Sequence, residues 1–262
     1  MKLHIVNLVV LVLFISSCKS EKKESTSEAT TTIEEVKKDV ISDIKIDPIE
    51  HATTILEWKE KTIYLDPNGG AKAFEGKKLA DIVLITDIHG DHLNIETLDS
   101  LDLSKAKLVV PPAVAEKLPA QYTEQLVILN NGETTNIKDI SIEAIPMYNL
   151  REEALKYHSK GRGNGYVLTL GEKRVYFSGD TEDIPEMRAL KDIDMAFVCM
   201  NLPYTMPVES AADAVLEFKP KQIYPYHYGG PEGLSDINKF AELVKKDPSI
   251  EIVQLNWYPN GI

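Results

Sequence analysis

The 262-residue sequence has only two cysteines, Cys18 and Cys199. A disulfide-stapled framework is therefore excluded, because at most one bridge could form. Basic charge is also scarce: 29 Lys and Arg stand against 41 Asp and Glu, a formal net charge of −12. A general nucleic-acid binder needs basic surface to displace the counterions of the phosphate backbone, so no nucleic-acid partner is expected. Apolar runs stay short of the roughly 20 residues a spanning helix requires, which excludes a polytopic membrane protein. What remains is an ordinary globular mix, 43% hydrophobic and 27% charged, long enough to bury a sizeable core.

The N-terminal stretch needs separate treatment. Lys2 is followed by an apolar run from Ile5 to Ile15, broken only by Asn7. That charge-then-apolar order is the pattern of an export signal, here residues 1–17. The run ends in Ile15-Ser16-Ser17-Cys18, which resembles a bacterial lipobox. The resemblance implies cleavage before Cys18, lipidation of Cys18, and residence at the bacterial cell envelope on its periplasmic or surface side. Residues 18–45 mix charges with Ser and Thr and have little to bury, so they read as a flexible tether. Residues 46–262 are then the folded domain.

Apolar patterning outlines that domain. Thr53–Trp58 and Thr62–Asp66 read as a hairpin. Asp81–Thr86 and Met195–Met200 are continuous apolar strands, of the kind covered on both faces. Leu108–Val110, Leu126–Leu129, Ile140–Ile145 and Gln222–Tyr226 add further strands, and Gly165–Leu170 with Arg174–Ser178 a second hairpin across Gly171-Glu172. Helices are expected at Asn94–Leu101, Ala113–Leu118, Val208–Phe218 and Ser235–Lys246, and a last strand at Ile250–Leu255. Two halves, each of strands then helices, predict an α/β fold with two packed sheets and helices outside: a four-layer αββα sandwich.

Chemistry concentrates in Thr86-Asp87-Ile88-His89-Gly90-Asp91-His92, directly after a buried strand. An extended backbone points residues 87, 89 and 91 the same way, and a turn at Gly90 brings His92 beside Asp91. Imidazole and carboxylate together suit Zn²⁺, Mn²⁺ or Fe. Asp180 and His227 stand at the ends of two other strands, on the rim where α/β active sites gather. His158 precedes a glycine-rich loop, Lys160-Gly161-Arg162-Gly163-Asn164-Gly165, that lacks the spacing of a phosphate loop.

Taken in order from His51 to His227, these residues resemble the metallo-β-lactamase superfamily. Within it they look most like the single-domain metal-dependent hydrolases that include the ascorbate-6-phosphate lactonase-like proteins. The resemblance implies two divalent ions, zinc first, with manganese or iron as alternatives. Asp87, His89 and His158 would hold one ion, Asp91, His92 and His227 the other, and Asp180 would bridge them. The superfamily usually has histidine where this chain has Asp87, which leaves one ion or two as open alternatives. His51 and Asp66 would stand behind the ligands. Tyr148, Asn149 and Tyr204, in loops after strands, would line the substrate pocket, with Lys160 and Arg162 facing an anionic group. The implied activity is hydrolysis of a small-molecule ester, lactone, amide or phosphodiester by metal-activated water, with Asp91 also accepting its proton. The competing expectation is a catalytically inactive metal-binding envelope lipoprotein. Oligomeric state has no signature in the sequence.

Overall fold

The computed structural model describes residues 43–259 and residue 261. The export signal, Cys18 and most of the tether lie outside the described residues. Among the described residues, no helix is long and apolar enough to cross a membrane.

The chain forms two mixed sheets. The first contains β1 (Ile44–Glu50), β2 (Thr53–Trp58), β3 (Lys61–Leu65), β4 (Ile82–Leu84), β5 (Lys107–Val110) and β6 (Leu126–Ile128), in sequence order. β1, β2 and β3 are antiparallel, and the pairs from β3 to β6 are parallel. The second sheet holds β7 (Thr134–Ile137), β8 (Ile140–Met147), β9 (Gly163–Leu170), β10 (Lys173–Phe177), β11 (Met195–Val198), β12 (Gln222–Pro225) and the short β15 (Glu251–Ile252). It repeats the plan, antiparallel from β7 to β10 and parallel from β10 through β11 and β12 to β15. A two-stranded ribbon, β13 (Gly229–Gly230) with β14 (Gly233–Leu234), lies beyond β12.

Period-two alternation sorts the core into layers. In β4 and β5, Ile82, Leu84 and Val109 join the cluster shared with the second sheet, whereas Val83, Leu108 and Val110 join an outer cluster with Phe74, Leu98, Val114 and Tyr122. That outer layer comprises α1 (Gly70–Ala73), α2 (Ile95–Ser100) and α3 (Pro112–Ala115). The opposite face carries α4 (Pro185–Arg188), α5 (Val208–Phe218) and α6 (Ile237–Val244), with Met187, Ala211, Val215, Phe218, Phe240 and Val244 buried. The result is the expected αββα sandwich. Phe197 stacks between Phe177 and Tyr224, with ring centroids at 4.3 and 4.6 Å. The Tyr166 hydroxyl of β9 donates to the Ile85 carbonyl at 2.9 Å and so ties the two sheets together.

Within the two main sheets, two strands run against expectation, and both are edges. β1 begins at Ile44, inside the stretch expected to be tether, and tolerates Pro48 because only β2 pairs with it. β7, Thr-Thr-Asn-Ile, is mostly polar and half exposed, so no apolar run marks it.

Candidate metal centre

Parallel strands deliver their C-terminal ends to one rim. Asp66 follows β3, the 86–92 segment follows β4, Asp180 follows β10, Asn201 follows β11 and His227 follows β12. β9 runs antiparallel to β10, so the loop before it brings His158 to the same rim. Two groups of ligand-type atoms result. Asp91, His92, Asp180 and His227 form one, and Asp87, His89 and His158 the other, each within 4.8 Å.

In the first group, His227 Nε2 lies 3.0 Å from Asp180 Oδ1, 3.4 Å from Asp91 Oδ2 and 3.2 Å from His92 Nε2. His92 Nε2 is 3.4 Å from Asp180 Oδ2 and 3.6 Å from Asp91 Oδ2. In the second, His89 Nδ1 is 2.8 Å from Asp87 Oδ2, which is 3.9 Å from His158 Nε2. His158 Nε2 reaches Asp180 Oδ2 at 3.2 Å, so Asp180 touches both groups. Gly179 makes this reach possible: its φ of +60° is left-handed, and a Cβ there would sit 2.6 Å from Met147 Sδ.

The histidines are aimed by their other nitrogens. His92 Nδ1 donates to the fully buried Asp66 at 2.8 Å, leaving Nε2 inward as the nitrogen that would coordinate an ion. Asp66 is held in turn by the Thr86 amide and hydroxyl, both at 2.7 Å. His158 Nδ1 donates to the Tyr204 carbonyl at 3.1 Å, turning Nε2 inward as well. His51 stands behind Asp91, with Nε2 at 3.3 Å from Oδ2 and Nδ1 at 2.8 Å from the Tyr258 hydroxyl.

The donor set fits divalent ions. His158 Nε2 and Asp180 Oδ1 are buried without a hydrogen-bond partner, close to opposite-type atoms but at angles that make no hydrogen bond. Buried polar atoms are seldom left unpaired, so convergent orphans of this kind mark a missing partner.

Electrostatics agree. Burial alone would raise Asp91 and Asp180, yet the surrounding histidines hold both well below the usual carboxylate range. Burial would lower His92 and His227, but the carboxylates outweigh it: His92 is held well above its ordinary value and His227 is pushed up to about 9. Without metal, these rings keep their protons at neutral pH, and an incoming ion must displace them. Metal affinity therefore rises with pH, about tenfold per unit for each proton displaced, and the His227 share of that slope ends above about 9. Calorimetric titrations between pH 6 and 8, in buffers of different ionisation enthalpy, should show proton release; a pH-independent affinity would contradict the ligand set.

The pocket above this floor has a volume of about 410 Å³ and is lined by His51, His89, Asp91, Tyr157, His158, Asp180, Asn201, Tyr204, Gly229, Gly230 and Pro231. Tyr204 is where the sequence placed it. Tyr148, Asn149 and Lys160 are not. Tyr148 is buried, its hydroxyl bonded to Glu186 at 2.9 Å. Asn149 is buried and spends its amide on the Ala154 and Tyr204 carbonyls. Lys160 lies over the Tyr148 ring and bonds Glu186 at 2.8 Å, outside the pocket. Arg162 faces Asp87 rather than a substrate. Asn201 and Tyr157 were missed; Asn201 had a signal, since it is the first polar residue after the buried apolar run Met195–Met200 that contains β11.

The stretch from Lys45 to His227, which includes all seven candidate ligands, matches the model of the beta-lactamase superfamily domain. The chain belongs to the beta-lactamase superfamily. Among its superfamily relatives, a UPF0173 metal-dependent hydrolase of Thermococcus onnurineus is 30% identical over 206 residues, 74% of this chain and 89% of that one. Another, from Pyrococcus horikoshii, is 29% identical over 221 residues, 80% of this chain and 96% of its own. A crystal structure of a chain described as a metal-dependent hydrolase, from Parabacteroides distasonis, superposes with a TM-score of 0.72 at 38% identity, covering 80% of this chain and 92% of that one.

Proposed function

We propose that the chain is a two-ion metal-dependent hydrolase acting on a small, uncharged ester, lactone or amide. The carrying observation is the convergence of four histidines and three aspartates, of which His89, Asp91, His158 and Asp180 line one pocket. Asp87, His89 and His158 would hold one ion, Asp91, His92 and His227 the other, and Asp180 both. Divalent ions so held supply Lewis acidity and lower the pKa of water from 15.7 toward about 7. The donor set of imidazole and carboxylate accepts zinc, manganese or iron.

The residues do the rest. Asp91 has the most open carboxylate of the set and lines the pocket, so it is the group placed to take a proton from attacking water. His51, bonded on its far side to Tyr258, shares that proton position. Asn201 Nδ2, buried and lining the pocket, is a donor for developing negative charge. Tyr157 and Tyr204 meet edge to face at 5.0 Å and offer an apolar wall. Among the described residues no Lys or Arg lines the pocket, which favours a neutral group over a phosphorylated one such as a sugar-phosphate lactone. A lipid anchor at Cys18 and an envelope location belong to the same proposal and rest on the sequence of residues 1–18 alone.

The test is metal content by plasma mass spectrometry combined with chromogenic aryl esters, lactones and bis-aryl phosphodiesters. Two ions per chain and chelator-sensitive turnover of a neutral acyl substrate are expected. Metal without turnover on every class would instead support an inactive binder.

A further inference from the structure

Asp87 is fully buried, and Arg162 grips it with both ends of its fork: Nε donates to Oδ1 at 2.9 Å and Nη2 to Oδ2 at 2.7 Å. Two separate devices bring this arginine in from 75 residues away. Gly163 lets β9 start against the segment carrying Asp87; a Cβ there would lie 2.7 Å from the Thr86 carbonyl oxygen, and the next amide, Asn164, donates to that oxygen at 2.9 Å. The Tyr157 carbonyl accepts a second bond from Nη2 and fixes the guanidinium plane. The same Oδ2 lies 2.8 Å from His89 Nδ1 and 3.9 Å from His158 Nε2, so it is the carboxylate oxygen offered to the half-site.

Building on the proposed metal reading, we infer that Arg162 is a positioning residue of the first half-site and makes the two half-sites unequal. Its bidentate hold fixes which oxygen of Asp87 points inward and cancels the carboxylate's charge, so Asp87, His89 and His158 together present a net-neutral set. Once His92 and His227 have released their protons to an ion, Asp91, His92 and His227 carry one negative charge, and among the described residues His51 is the only other basic group in contact with Asp91. The Asp91 half-site therefore fills first and tightly, and the Asp87 half-site second. A fork matched to both carboxylate oxygens is a geometry that lysine cannot reproduce.

The experiment is calorimetric titration of zinc, and separately manganese, into the metal-free purified chain and its variants. The parent should bind two ions in two resolved steps. R162M uncovers the Asp87 charge, which alone would favour a cation, but it also frees the carboxylate to turn away; the loss of aim outweighs the uncovered charge, and affinity should fall about 10- to 100-fold in the weaker step only. R162K, which keeps the charge but not the two-pronged fork, should show the same weakening, and it serves if R162M fails to fold. The double variant D87H/R162M, with a neutral ligand that needs no counter-charge, should regain the second step. Equal steps in the parent, or an unchanged or strengthened second step in R162M or R162K, would overturn the inference while leaving the metal reading intact. A parent chain that binds no ion would overturn both.

Discussion

Asp180→Ala is expected to abolish binding at both half-sites together and to lower metal-dependent turnover by more than about a hundredfold, beyond the loss typical of a residue behind a ligand. The reason is geometric. Asp180 Oδ2 lies 3.2 Å from His158 Nε2 and 3.4 Å from His92 Nε2, and Oδ1 lies 3.0 Å from His227 Nε2. Among the described residues, no other carboxylate approaches the imidazoles of both groups in this way. Removing it leaves each half-site one ligand short, whereas His89→Ala would empty only one. Plasma mass spectrometry of the purified variant, beside its turnover, checks this. A variant that retains two ions, or the parent rate, would show that the bridging position is wrong. The fold should survive, because Gly179 keeps its hydrogen bond to the Tyr226 hydroxyl at 3.0 Å and the two sheets keep their apolar cluster.

Which parts of this molecule could be read from its residues depends on how many tertiary contacts each reading needs. Ile82–Leu84 and Met195–Val198 are covered on both faces, so their unbroken apolar runs announced them. β1 and β7 pair on one side only, carry Pro48 or polar residues, and gave no such signal. His89 and His92 were legible because histidines and aspartates crowd a few positions directly after a strand. Asp180 and His227 are isolated in the sequence, and only their order along the chain, matched to a known family, marked them. Side chains whose role is decided by a partner far away were misread. Arg162 and Lys160 looked alike as cations in a glycine-rich loop, but the close approach of β9 to Thr86 gives one to Asp87, and Glu186 claims the other. Tyr148 and Asn149 stand after a strand, as pocket residues do, yet the turn that follows folds them inward.

Stripping divalent ions from the chain is expected to lower its unfolding midpoint by roughly 8–16 °C. An ion held at a free concentration a thousand times its Kd stabilises the folded state by about 4 kcal/mol, and each kcal/mol moves the midpoint of a domain this size by about 2–4 °C. The source of that energy is visible in the buried cluster. Asp66, Asp87 and Asp180 are almost wholly buried and Asp91 is close by, with His158 Nε2 and Asp180 Oδ1 unpartnered. Without a cation the cluster is balanced by Arg162 on Asp87 and by protons on His92 and His227; with one, the orphaned atoms gain their partner. The effect should be global rather than local. Asp87, His89, Asp91 and His92 follow a strand of the first sheet, while Asp180 and His227 follow strands of the second, so bound ions fasten the two layers to each other. Differential scanning calorimetry with and without chelator should therefore move one transition as a whole, and re-addition of zinc or manganese should restore it. A separate low-temperature transition appearing on chelation, with the main one unmoved, would mean that the ions hold only a loop and that the two sheets stand without them.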